Sequence, residues 1–121
     1  MKKNELVKET ILVTGSSGFL GGAIARALRH RYKVIGVSRT DNVRNSFQLD
    51  LTSQERVYEL SKVISPTIII HAAGLKDIQL CEDDPKLAES ANIHMVRNIS
   101  KFFPASKIIY MSTDYVFSGD V

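Results

Sequence analysis

The chain has 121 residues, is 44% hydrophobic, carries a net charge of +3 and contains one cysteine, Cys81. That length bounds it to one domain over residues 1–121, and the weak charge, with scattered Lys and Arg and no interleaved aromatics, excludes nucleic acid as a partner. No apolar run approaches the roughly 18 residues of a membrane span, and a lone cysteine leaves neither an internal disulfide nor a thiolate metal cluster.

Residues 1–9 read as a loose leader, charged at Met1 to Glu5 and without a following signal-type apolar region, so the chain reads as cytoplasmic. Residues 10–14 form a short apolar strand. Residues 19–30 form a helix whose apolar positions Leu20, Ala23, Ile24, Ala27 and Leu28 predict one buried face. Residues 33–38 are a second strand and 45–49 a weak third. Thr52 to Glu55 is a capping-box pattern with Thr52 as cap, opening a helix to about residue 64 that Pro66 ends. Residues 67–71 hold three consecutive isoleucines, as a parallel strand buried on both faces requires. Asp84 caps the next helix with Pro85 in its first turn, and Leu87, Ala91, Met95, Ile99 and Phe102 recur along one side until Pro104 closes it. Residues 107–112 are the last strand.

Strands alternating with helices imply an α/β fold with a parallel sheet and right-handed crossovers. With a glycine turn after the first strand, the expectation is a Rossmann-type doubly wound sheet of five strands, order 3-2-1-4-5. About six strands complete such a domain, so the sheet is expected to be incomplete, with an open edge through which the chain self-associates, as a homodimer or larger.

Gly15, Gly18 and Gly21 spell G-x-x-G-x-x-G between a strand and a helix. The first glycine permits a tight turn, the second lets backbone approach a pyrophosphate, and the third lets helix and strand pack closely. The pyrophosphate would rest on free N–H groups at the helix N-terminus, over Ser16, Ser17, Phe19 and Leu20, with both serines adding hydroxyl donors. A mildly positive surface suits such a phosphate-rich ligand. At the end of the second strand Ser38-Arg39 stands where an NAD site places an acidic residue, and a guanidinium suits a 2′-phosphate. NADP is therefore favoured and NAD is the alternative; Arg39 as a solvated strand-end residue, or one that stacks on adenine without choosing, is the plainer reading. Asp50 can accept from the adenine amino group with Leu51 packing on the ring, or simply help to initiate the next helix. Ala72, Ala73 and Gly74 are small enough to let backbone pass near a cofactor ribose. His71 is read as a satisfied strand-end residue rather than a general base. Tyr58-x-x-x-Lys62 has the catalytic spacing of short-chain reductases but lies on the wrong helix, and is read as a surface pair one turn apart.

Together, the stretch Thr14 to Gly21, Asp50-Leu51, Ala72 to Gly74, the Glu82-to-Pro85 helix entry, Asn92 and Ser112-Thr113-Asp114-Tyr115-Val116-Phe117 resemble the extended short-chain dehydrogenase/reductase superfamily. Within it, the last stretch resembles the dTDP-4-dehydrorhamnose reductases most. The resemblance covers nearly all of this chain and less than half of a family member. It implies hydride transfer from NADPH to a keto-sugar carried on a nucleotide, that nucleotide-sugar being the substrate of the full-length protein. It also implies that Thr113 hydrogen-bonds the reacting carbonyl, with a catalytic tyrosine and lysine on a further helix after Phe117. The expectation is thus a truncated cofactor-binding part, inactive alone, with the substrate domain absent. The alternatives are a non-catalytic dinucleotide-binding regulatory module, since relatives of these reductases serve as regulatory subunits, or an NAD-dependent epimerase or dehydratase. The Ser112-to-Phe117 match and Arg39 argue against the last.

Overall fold

A computed structural model describes residues 8–40, 46–73 and 84–111. Its elements are β1 (Thr10–Thr14), α1 (Phe19–Leu28), β2 (Lys33–Ser38), β3 (Ser46–Gln48), α2 (Gln54–Ser61), β4 (Ile68–His71), α3 (Pro85–Phe102) and β5 (Lys107–Tyr110). All strands are parallel, in the order β3-β2-β1-β4-β5. This is the Rossmann-type sheet expected from the alternation of strands and helices.

The sheet is central because its middle strands are apolar on both faces. Along β1, Leu12 points into one core with Val37, Leu51, Val57, Leu60, Ile69, Met95 and Ile99, beneath α2 and α3. Ile11 and Val13 point the other way, with Val34 and Ala25, beneath α1. The isoleucines of β4 divide likewise: Ile69 packs toward α2 and α3, and Ile68 and Ile70 toward α1. Two-sided burial of this kind is what a run of β-branched residues in a parallel strand serves.

Local expectations shift in all three helices. In α1 the buried residues are Gly21, Gly22 and Ala25, while Leu20 and Ala23 are exposed. A Cβ on Gly21 would fall inside van der Waals contact of the Gly15 carbonyl, so the helix meets β1 through backbone there, while Ile24 and Leu28 pack half-buried against the same core as expected. The cap of α2 is Ser53, whose side chain accepts from the Arg56 N–H; the Thr52 hydroxyl is already committed, donating to Asp50 Oδ1. The helix also ends at Ser61, short of residue 64. In α3, Asp84 caps as expected by accepting from the Leu87 N–H, but Leu87 is exposed and Ala88 takes the inward place. The inner face then runs through Met95, Asn98 and Ile99, a buried asparagine among apolar residues.

Candidate functional site

The C-terminal ends of β1, β2 and β4 and the chain following β3 converge on one cleft of about 210 Å³. Such a position, outside the carboxyl ends of the strands where the winding direction changes, is where open α/β sheets bind ligands. Gly15, Ser17 and Gly18 form one wall, Val37, Arg39 and Thr40 the second, Leu49 to Thr52 the third; Ala73, Ala91 and Met95 complete the lining.

The first wall is made of backbone. Gly15 has φ +69°, a conformation that costs a residue with a side chain about 1–2 kcal/mol. Its position leaves no room either: a Cβ would lie 2.8 Å from the Ala73 Cα and N. The Gly18 N–H closes the turn onto the Gly15 carbonyl at 3.0 Å, and Gly18 then serves as N-cap of α1. Among the described residues no side chain caps α1, whereas Ser53 and Asp84 cap α2 and α3. The N–H groups of its first turn therefore have no intrahelical partner and remain available to an anion.

Ser17 lines the cleft and accepts a hydrogen bond from the buried Ser38 hydroxyl at 2.7 Å. Ser38 in turn accepts from the Thr40 N–H at 3.2 Å, so the glycine turn and the end of β2 are tied together. Ser16 is turned the other way. Its hydroxyl is buried, has no hydrogen-bond partner among the described residues, and faces Gly36 on β2, where a Cβ would come within 2.5 Å of it. Of the two serine hydroxyls expected to face the ligand, only that of Ser17 lines the cleft. Phe19, at 92% exposure, and Leu20, at 41%, project into solvent, and Gly21 and Ala72 lie behind the lining.

Asp50 carries the cleft's carboxylate. Its Oδ1 accepts from both the N–H (2.9 Å) and the hydroxyl (2.8 Å) of Thr52. The Thr52 N–H above all, then its hydroxyl and the positive charge of Arg39, hold the group below the usual carboxylate range against a partial burial that opposes them. An ionised acceptor thus stands across the cleft from a guanidinium. Leu51 beside it is buried in the core.

His71 and Thr14 lock β4 to β1 behind the turn. The Thr14 hydroxyl accepts from the Ala73 N–H at 3.0 Å and contacts His71 Nδ1 at 2.7 Å. One proton is shared between the hydroxyl and Nδ1, and the ring tautomer decides which of the two donates. The ring also stacks on Tyr110, and burial pulls its pKa down to about 4. It is a satisfied strand-end histidine, as read. Tyr58 and Lys62 stay away from the cleft: the Lys62 ammonium lies 4.7 Å from the Tyr58 ring centre, and that ring packs on Phe102. Gly74 and Thr113, with Cys81 and the rest of the Ser112-to-Phe117 stretch, lie outside the described residues.

The sequence reading missed Ala91 and Met95 as lining residues and Asn98 behind them. A polar residue on the Met95–Ile99 face was the one signal for Asn98, and none distinguished the other two from ordinary core.

A family model described as the RmlD substrate binding domain matches residues 9–121. The chain belongs to the RmlD family. Among curated relatives of this RmlD-family chain, the dTDP-4-dehydrorhamnose reductase of Aggregatibacter actinomycetemcomitans is 30% identical over 113 residues, 90% of this chain and 36% of that protein. The methionine adenosyltransferase 2 subunit beta of Xenopus laevis is 31% identical over 112 residues, covering 89% and 33%. Among solved structures, one described as a hypothetical dTDP-4-dehydrorhamnose reductase from Sulfolobus tokodaii superposes with TM-score 0.75 at 35% identity, over 92% of this chain and 41% of that one. The dTDP-4-dehydrorhamnose reductase of Bacillus anthracis, solved in complex with NADP, also reaches 0.75, at 27% identity over 97% and 40%. The RmlD-family chain therefore spans well under half the length of these proteins.

Proposed function

We propose that this chain is the dinucleotide-holding part of an NADP-dependent reductase acting on a keto-sugar carried by a nucleoside diphosphate. One observation carries the reading: the uncapped N-terminus of α1 opens onto the same cleft as Arg39 and Asp50. The residues fit a dinucleotide, since the turn is a backbone cradle that a Cβ on Gly15 would fill. The NADP complex of the Bacillus anthracis relative supports the choice of cofactor.

In this reading Gly15 and Gly18 let the backbone approach the pyrophosphate, which the first-turn N–H groups of α1 receive. The Arg39 guanidinium takes the 2′-phosphate through paired N–H donors. Asp50 Oδ2, which accepts no hydrogen bond from the described residues, takes the adenine amino group. Ala73, the small residue that lines the cleft after β4, leaves room for a ribose. The cofactor, when bound, supplies a hydride. Thr113 keeps the role the family resemblance implies, a hydrogen bond to the reacting carbonyl, with the nucleotide-sugar held by the longer protein.

Arg39→Asp tests the cofactor choice. The expected result is a loss of NADPH affinity of tenfold or more with NADH affinity changed far less; equal loss for both would remove Arg39 from the 2′-phosphate. The 121 residues alone are expected not to oxidise NADPH with a dTDP-4-keto-sugar, because the tyrosine and lysine of the family's catalytic set are expected beyond Phe117. Turnover by this chain would overturn that expectation.

A second reading, a non-catalytic module of a larger assembly, is favoured by the relatives named as methionine adenosyltransferase 2 subunit beta. It keeps the same cofactor cleft, and NADPH oxidation by the whole protein with a keto-sugar nucleotide separates the two.

A further inference from the structure

Asn98 is 7% exposed on a face of α3 that otherwise presents Met95 and Ile99 to the core. A buried amide persists in such a setting when its hydrogen bonds are met. Asn98 Nδ2 donates to the Leu51 carbonyl at 2.9 Å, across 47 positions of sequence. That carbonyl belongs to the irregular chain between β3 and α2, where no sheet ladder serves it.

The same short segment carries Asp50. Its upstream side is tied to β2 by the Leu49 N–H, which donates to the Ser38 carbonyl at 3.0 Å. Its downstream side closes on itself, the Ser53 N–H donating to the Asp50 carbonyl at 3.0 Å. Asn98 ties the segment to α3, the helix that supplies Ala91 and Met95 to the cleft lining. With Asp50 Oδ1 taken twice by Thr52, the direction of Oδ2 depends on how this backbone is held.

We propose that Asn98 is a positioning residue for the adenine end of the cleft, its amide fixing the Leu51 carbonyl so that Asp50 presents Oδ2 to the exocyclic amino group of the base. The inference rests on the dinucleotide reading above. Replacing Asn98 by an apolar residue leaves the Leu51 carbonyl buried without a donor, and the segment can recover a partner only by moving. Asp50 then moves with it, although Asn98 itself touches no ligand.

The test compares NADPH with its hypoxanthine analogue, in which an oxygen replaces the adenine amino group, by titration of the chain and of Asn98→Leu, Asn98→Ser and Asp50→Ala. The native chain is expected to prefer NADPH about tenfold, the scale of one charge-assisted hydrogen bond. Asn98→Leu is expected to lower that preference to about twofold, close to Asp50→Ala, while still binding both ligands. Asn98→Ser, whose hydroxyl is too short to span the gap, should behave likewise and serves if Asn98→Leu does not fold. A purely structural asparagine would lower the melting temperature, or both affinities equally, and leave the ratio intact; that result overturns the proposal. So does a native chain that binds both ligands equally, with the dinucleotide reading left standing. Failure of the native chain to bind either ligand overturns both.

Discussion

His71 is 1% exposed, with Nδ1 hydrogen-bonded to the Thr14 hydroxyl and, among the described residues, burial alone acting on its titration. Desolvation lowers its folded pKa from 6.5 to about 4. The unfolded chain then binds a proton that the folded chain refuses, so stability is intact above about pH 6.5 and declines as pH falls toward 4, by roughly 3 kcal/mol in all. Asp50, held below the ordinary value of an aspartate by the Thr52 N–H above all, adds its own loss only at lower pH still. His71→Asn keeps a hydrogen-bonding partner for Thr14 without the titration. Urea midpoints between pH 7 and 4.5 should fall steeply for the native chain and more gently for the variant; parallel curves would refute the assignment. At the same scale the glycine turn was legible, because only glycine suits the φ of Gly15 and the contact at Gly21. The direction of the Ser16 hydroxyl was not, since G-x-x-G-x-x-G specifies backbone and says nothing of which serine faces in.

Among the helices, periodicity identified each element and misjudged part of the inward faces of α1 and α3. Of the α1 stripe, Ile24 and Leu28 pack on the core, whereas Leu20, Ala23 and Ala27 are exposed and the close approach to β1 selects Gly21, Gly22 and Ala25 for burial. In α3 the error is one position, Leu87 for Ala88, at the end nearest the cap, where few core residues hold the helix. The α2 cap moved from Thr52 to Ser53 because Asp50 competes for the Thr52 hydroxyl. The Asp84 cap was readable from the Asp-Pro pair alone and has a definite value: Asp84→Ala should cost about 1 kcal/mol by losing the bond to the Leu87 N–H. A chemical denaturation midpoint unchanged by that substitution would show that α3 is held by packing alone. Asn98 escaped the sequence reading for a related reason. Its partner is a main-chain carbonyl 47 residues away, which no local pattern encodes.

For the molecule as a whole, the alternation of apolar strands and helices was enough to order the sheet, because parallel strands joined by right-handed crossovers leave few arrangements. What covers its flank was not legible. Among the described residues β5 pairs on one side only, with β4, and Ile109 and Tyr110 are 41% and 55% exposed there. The proposal that copies of this chain associate through that edge follows from the unpaired backbone and apolar side chains together. Sedimentation should show mass increasing with concentration, and Ile109→Lys should suppress it; a monomer at all concentrations would refute it.

The central claim is that the glycine turn, Arg39 and Asp50 form one dinucleotide site, and calorimetric titration of the chain with NADPH and then NADH tests it most directly. Saturable one-to-one binding, tighter for NADPH, is the predicted result. A chain that is folded by circular dichroism yet gives no binding heat with either dinucleotide would contradict it.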